Sequence, residues 1–221
     1  MSAAWQPFKA LFAPSDEQLM WRVQAQDDAA AFADLVGRWE DPIHRLCTRL
    51  CGDAHRAEDL AQEIFAKVFA RRHAFAADRK FSTWLWRVAL NHCYNDLRRA
   101  RSRPESRFGG GQEDDGSAGP DDFSTDQPGP DEELVGRETA AAVQAALATL
   151  AEEHRSIVVL RHYEGLKFRE IAEVLDLPEG TVKTRMTEAL NELARRLRRS
   201  LQLNVPPRPE RRARTREALI L

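Results

Sequence analysis

Long hydrophobic runs are missing from this chain. No stretch reaches the roughly 18 consecutive apolar residues that a membrane span needs. The start, Met1-Ser2-Ala3-Ala4-Trp5-Gln6-Pro7, lacks the basic opening and apolar run of a signal peptide. No membrane insertion is expected. Cysteine is scarce: Cys47, Cys51 and Cys93 cannot all pair with one another, which excludes a disulfide scaffold and favours a reducing, cytoplasmic setting. Between residues 15 and 103 glycine occurs only at Gly37 and Gly52, and Pro42 is the single internal proline. Nothing there alternates for long with the period of a strand. There is no glycine-rich phosphate loop and no nucleophile–base constellation, so neither an enzyme nor a cofactor is expected. His44, Cys47, Cys51 and His55 recur on one helical face, but a straight helix aims only an i, i+4 pair at one ion, so no metal site is assigned. The cysteines there read as small buried groups.

An excess of one charge is also missing overall. With 33 basic and 35 acidic residues the net charge is −2, which argues against a simple nucleic-acid coat. The distribution is uneven, however. Residues 105–138 hold 11 acidic side chains against Arg107 and Arg137, so the remainder is net basic, 31 against 24.

What is present is helical periodicity in two blocks. Residues 15–103 carry Leu46 and Leu50, then Leu60, Ile64 and Val68, then Leu85, Val88 and Leu97. Ser15-Asp16-Glu17 and Ser82-Thr83 read as helix starts, and Asp28 opens an Ala-rich helix running to Leu50. Residues 104–130, broken by Gly109-Gly110-Gly111, Gly119-Pro120 and Gln127-Pro128-Gly129-Pro130, read as a flexible acidic linker. Residues 131–200 are helical again, with a short helix near Phe168–Leu175 and a last one from about Thr181. An N-terminal extension, 1–14, holds a small apolar cluster of Trp5, Phe8, Leu11 and Phe12. A basic tail, 201–221, includes Arg208 to Arg216. The predicted fold is all-α: two helical domains joined by the linker, the second containing a helix-turn-helix.

Residues 167–190 carry that motif. Ala172 is small where two helices cross, Ile171 and Leu175 face inward, Leu177 plugs the turn, and Val182 and Met186 seat the second helix. Pro178 near the helix start costs no hydrogen bond. Thr181, Lys183, Thr184, Arg185, Thr187 and Glu188 then face outward, and hydroxyls and cations near a helix N-terminus suit phosphates and base edges. An ordinary helical hairpin with a solvated face has the same periodicity.

The wider pattern separates the two. Tyr163-Glu164-Gly165-Leu166, Glu170-Ile171-Ala172 and Gly180-Thr181-Val182-Lys183-Thr184-Arg185 resemble the C-terminal domain of bacterial RNA polymerase sigma factors. The similarity is greatest to the extracytoplasmic-function branch of the sigma-seventy family. The resemblance implies that this domain reads a minus-thirty-five promoter element as duplex. The chain departs from the family at Glu188, and at Leu190, where arginine is common. A carboxylate there accepts from a cytosine amino group but repels phosphate.

The N-terminal half extends the resemblance. Residues 53–65 are similar to the family segment that docks on the polymerase clamp. Glu58, Asp59, Gln62 and Glu63 would offer an acidic patch beside Ile64 and Phe65, complementary to basic groups. A solvated face over a Leu60–Ile64 stripe is the plain alternative. Residues 81–99 are very similar to the family's minus-ten reading helix, and residues 76–80 fall where the family holds a flipped base. Asn91 and Asn95 lie one turn apart on one face, and an amide both donates and accepts. Flipping a base costs a few kcal/mol, which pocket contacts must offset. Arg79, Lys80, Arg87, Arg98 and Arg99 are candidates for phosphates. Trp84 is carried among the promoter-facing positions, although an aromatic fixing the loop against the helix is the favoured reading. For Trp86 stacking and burial both stand.

Together the two blocks imply a sigma factor that binds bacterial core RNA polymerase and promoter DNA, with catalysis left to the polymerase. The resemblance adds a possible anti-sigma partner. By the same resemblance the linker sits near the polymerase's RNA exit path and active-site cleft, with plain disorder as the alternative. Two rival readings remain: a stand-alone helix-turn-helix regulator, which has no need of the Glu58–Phe65 patch, and a degenerate sigma-like interaction protein, which Glu188 alone favours.

Overall fold

The computed structural model describes residues 13–102 and 130–200, with side chains in the second stretch from Thr139 onward. The apolar cluster at 5–12, the linker as far as Gly129 and the tail 201–221 lie outside the described residues.

Each helix of the first half begins where its sequence supplies a cap. Helix α1 (Asp16–Gln26) has Ser15 as N-cap in a reciprocal capping box with Gln18, the two bonds being 3.2 and 2.9 Å. Helix α2 (Ala29–Cys51) begins at Asp28, whose carboxylate accepts from the Ala30 and Ala31 amides at 3.0 Å each. It ends at Gly52, at φ 76°, a conformation that favours glycine. Helix α3 (Ala54–Ala70) is capped by Asp53, which accepts from the Arg56 amide at 3.0 Å. A 3-10 turn, Arg72–Ala74, leads to α4 (Phe81–Ser102). This helix starts at Phe81, ahead of the expected Ser82-Thr83, because the Glu17 carboxylate accepts from the Phe81 amide at 3.0 Å. A distant side chain therefore sets the start.

The apolar stripes meet where the periodicity placed them. Leu19, Leu35, Ile43, Leu46, Leu60, Ile64, Val68 and Leu85 are fully or almost fully buried. At roughly 1.5–3 kcal/mol for each large aliphatic side chain, this burial is the main force holding the half together.

The second half is α5 (Pro130–Ala148), α6 (Glu152–His162), α7 (Phe168–Leu175) and α8 (Glu179–Ser200). Helix α7 ends at Asp176 in the left-handed region, and the Leu177 amide closes the turn on the Ala172 carbonyl at 3.0 Å. Ile171, Val182 and Met186 are buried as the motif requires. Val174 rather than Leu175 is the second deeply buried position of α7, Leu175 being half-buried. Helix α6 is the centre of the molecule: residues 155–160 are all buried, because α8 and α7 cover one side and α2 the other.

The two halves pack together through polar contacts as well as apolar ones. A helix end leaves its last carbonyls short of partners, and in α2 the Gly52 amide serves one of them, Thr48, at 2.9 Å. Gln144 of α5 donates to the Thr48 and Arg49 carbonyls at 3.2 and 3.1 Å, and Arg155 of α6 donates to Leu50 at 3.2 Å. Arg155 also donates to the Ala148 and Leu150 carbonyls, so this buried guanidinium is fixed by three backbone oxygens. Tyr94 of α4 shares a 2.7 Å hydrogen bond with Ser156 and donates to the Glu152 carbonyl at 2.7 Å.

Candidate nucleic-acid interface

Helix α4 presents Asn91 and Asn95 on its exposed face, one turn apart, while Leu90, Cys93 and Tyr94 turn inward. Arg99 is exposed. Arg79 is exposed too, and the other three cations proposed for phosphates face the second half. Arg87 donates to the Val174 and Glu173 carbonyls at 3.1 and 2.7 Å. Arg98 pairs with Glu152 at 2.5 Å, and Lys80 approaches Glu170 at 3.9 Å. Trp84 packs against Phe75 and Phe81, with centroids 5.5 and 6.0 Å apart, between the preceding loop and the helix. Trp86 is buried edge-on against Trp39 at 5.6 Å. The first turns of α4 and residues 78–80 thus form one wall of a cleft of about 380 Å³, and Glu173 and Asp176 form the other.

Helix α8 places its outward residues together, but each charged one already has a partner. Lys183 pairs with Glu179 at 2.6 Å, Arg185 with Glu153 at 2.5 Å, and Glu188 with His154 at 3.4 Å. The Thr184 and Thr187 hydroxyls donate back to the Gly180 and Lys183 carbonyls, and Thr181 is half-buried.

On α3, Glu58, Asp59 and Gln62 are exposed, Asp59 lying 3.5 Å from Arg56. Phe65 is 8% exposed, lying mostly in the core and reaching the floor of the groove beside Glu58 and Gln62. Glu63 is half-exposed and accepts from His92 Nε2 at 2.7 Å. His92 Nδ1 meets the Lys67 ammonium. An ammonium only donates, so Nδ1 accepts and the proton sits on Nε2. Opposite this helix α2 supplies Val36, Glu40, Asp41 and His44, and together they line a groove of about 510 Å³. The contribution of Glu40 and Asp41 was not read from the sequence. Their acidic pair is visible there, but its place opposite α3 depends on how the helices pack.

The comparisons with known proteins agree with this layout. The family model for Sigma-70 region 2 matches residues 35–103, and that for Sigma-70, region 4 matches residues 140–193. The chain is 35% identical over 174 residues to the ECF RNA polymerase sigma factor SigW of Bacillus subtilis, covering 77% of this chain and 91% of that protein. It is 36% identical over 175 residues to the RNA polymerase sigma-H factor of Pseudomonas aeruginosa, covering 79% and 89%. The chain belongs to the extracytoplasmic-function sigma factors.

It is therefore an initiation factor that directs promoter-specific transcription, and not an enzyme. Two solved structures share the fold of this sigma factor. One is CnrH in complex with the cytosolic domain of CnrY, with a TM-score of 0.60 and 22% identity over 82% of this chain and 96% of that one. The other is RpoE in complex with the anti-sigma factor NepR from Bartonella quintana, with a TM-score of 0.55 and 20% identity over 79% and 98%. Among the described residues of the sigma factor no helix is long and apolar enough to cross a membrane. Cys47 and Cys93 are buried beneath the α4 face with their sulfurs 3.6 Å apart, and Cys51 is half-buried.

Proposed function

We propose that the sigma factor works in the cytoplasm with three separate surfaces. Residues 15–103 form the first module, with Asn91 and Asn95 of α4 reading the opened minus-ten strand. Trp84 holds the adjoining loop, and Lys80, Arg87, Arg98 and Arg99 neutralise phosphates. Residues 131–200 form the second module, in which Thr181, Lys183, Thr184, Arg185, Thr187 and Glu188 face the minus-thirty-five duplex. Glu58, Asp59, Gln62 and Glu63 meet a basic surface of core polymerase, with Phe65 supporting that helix from within. The linker, 104–130, lets both modules engage at once and raises their effective concentration. An anti-sigma protein is a natural further partner, since two proteins of the same fold were solved with CnrY and with NepR.

The exposure of Asn91 and Asn95 side by side on α4 carries this reading. The arrangement described above is a closed one for that purpose. Arg87 and Arg98 are held by α7 and by Glu152, so the halves must separate before α4 can accept a strand.

Transcription with purified core polymerase on a promoter library tests it. The intact chain is expected to yield start sites sharing a two-part motif. Asn91→Ala is expected to weaken the upstream-adjacent minus-ten preference while leaving polymerase binding intact. A Glu58→Lys/Asp59→Lys double change is expected to abolish polymerase binding. Duplex binding without initiation would overturn the proposal in favour of a stand-alone regulator.

A further inference from the structure

Glu164 follows α6 in the turn Tyr163-Glu164-Gly165, and its side chain is only 2% exposed. One carboxylate oxygen, Oε1, is buried with no hydrogen-bond partner, and the nearest cation, Arg45 Nη2, lies 3.8 Å from Oε2, beyond hydrogen-bond reach. It borders a cleft of about 320 Å³ whose other walls come mostly from the other half of the molecule. Helix α2 supplies Trp39, Pro42 and Arg45, and the start of α4 supplies Ser82, Thr83 and Trp86.

The charged neighbours do not compensate. Arg49 of α2 is stacked over the Tyr163 ring at 4.4 Å. Lys80, before α4, is turned to Glu170 of α7 at 3.9 Å. Arg161 of α6 donates to the Leu166 carbonyl at 2.9 Å. A buried carboxylate with one orphan oxygen and no bonded cation is costly when ionised and tolerable when neutral.

We propose that Glu164 is a proton-sensitive latch on the closed arrangement: protonated it lets the two halves stay together, and ionised it pushes them apart. Burial raises its pKa from 4.5 to about 7 against the opposing pull of Arg45 and Arg49. When α2 and α4 move away the carboxylate meets water and returns to its ordinary value. The closed form therefore binds the proton more tightly. Closure is fully favoured below about pH 4.5 and is lost progressively as the pH rises, levelling off above about 7. Between pH 5.5 and 7.5 these two values give a fall of about twentyfold in the closed-to-open ratio.

The latch draws on the promoter reading only for its consequence. Closure is measured on the full chain without polymerase or DNA, so failure of either leaves the other standing. Ser156 is buried against Tyr94 across the interface, and Ser156→Cys is nearly isosteric. The rate at which a maleimide labels that thiol, followed by peptide mass spectrometry, reports separation even when it is rare. The rate is compared with that of the same protein carrying Glu164→Gln, so that thiol ionisation and the six histidines cancel. The ratio of the two rates is expected to rise about twentyfold from pH 5.5 to 7.5. Labelling of Cys93, buried within the first half, serves as the control and is expected to show no such change. In an Arg45→Met background the rise is expected to extend to higher pH. A ratio that stays flat, or a Cys93 ratio that rises in parallel through whole-chain unfolding, would overturn the latch.

Discussion

Arg87 Nε, on the helix proposed to read the minus-ten element, is bonded to the carbonyl oxygen of Val174 in the other half at 3.1 Å. With its second bond to the Glu173 carbonyl it caps the end of α7. While it caps α7, this guanidinium has Nε and Nη2 committed to carbonyls of the other half.

Arg87→Ala is expected to act in opposite directions on two measurements. Removing two bonds from a charged donor weakens closure by roughly 1–3 kcal/mol, so labelling of a Ser156→Cys thiol should accelerate at least fivefold or so. Promoter opening should fall, because the phosphate partner is gone. Slower labelling would contradict this account of the contact.

Tyr94→Phe removes a buried hydroxyl whose pKa burial pushes up to about 12, so it stays protonated across the working range. Without the tyrosine oxygen, Ser156 is free to turn its hydroxyl to the Glu152 carbonyl, 2.8 Å away. The expected cost is therefore modest, about 1 kcal/mol, visible as a small drop in urea midpoint without a change in slope.

Arg155→Met should be far more damaging. Three backbone carbonyls lose their donor in a site where the arginine side chain is almost fully buried. A loss of about 3 kcal/mol or more is expected in urea unfolding. Arg155→Lys should recover little of it, since one ammonium cannot reproduce the spread of a guanidinium fork.

Glu188→Arg reverses a charge on the outward face of α8 and releases His154. Duplex binding to a minus-thirty-five fragment should tighten. The slope of log affinity against log salt should steepen by about one unit if the new side chain takes up one phosphate. An unchanged slope would place residue 188 away from the backbone of the duplex.

The sequence was most informative where a signal is local. Ser15, Asp28 and Gly52 mark helix ends because each satisfies backbone groups of its own helix. Phe168–Leu175 has the bounds that its apolar spacing predicts. The beginning of α4 was displaced because Glu17, 64 residues earlier, holds the Phe81 amide. Among the candidate site residues, Asn91 and Asn95 could be placed on a face from spacing alone. The Lys183–Glu179 pair is one turn apart on a single helix, whereas that Phe65 is internal, and that Arg185 and Glu188 meet Glu153 and His154, could not be read from spacing. Each depends on a neighbour brought in by packing: α2 for Phe65, and α6 for Arg185 and Glu188. The burial of Glu164 is of the same kind. A carboxylate in a turn ordinarily faces water, and only the approach of α2 changes its surroundings.

The caps on the end of α2 bear on how the chain is born. Gln144 and Arg155 lie 95 and 105 residues beyond the Arg49 and Leu50 carbonyls they satisfy. A ribosome makes the N-terminal half first, at roughly 5–20 residues per second. For several seconds the Arg49 and Leu50 carbonyls at the end of α2 therefore lack these partners, while Thr48 keeps its bond from the Gly52 amide. The first half must hold its shape through its own buried side chains, Leu46, Leu60 and Ile64 among them, until the emerging second half reaches back and completes the helix.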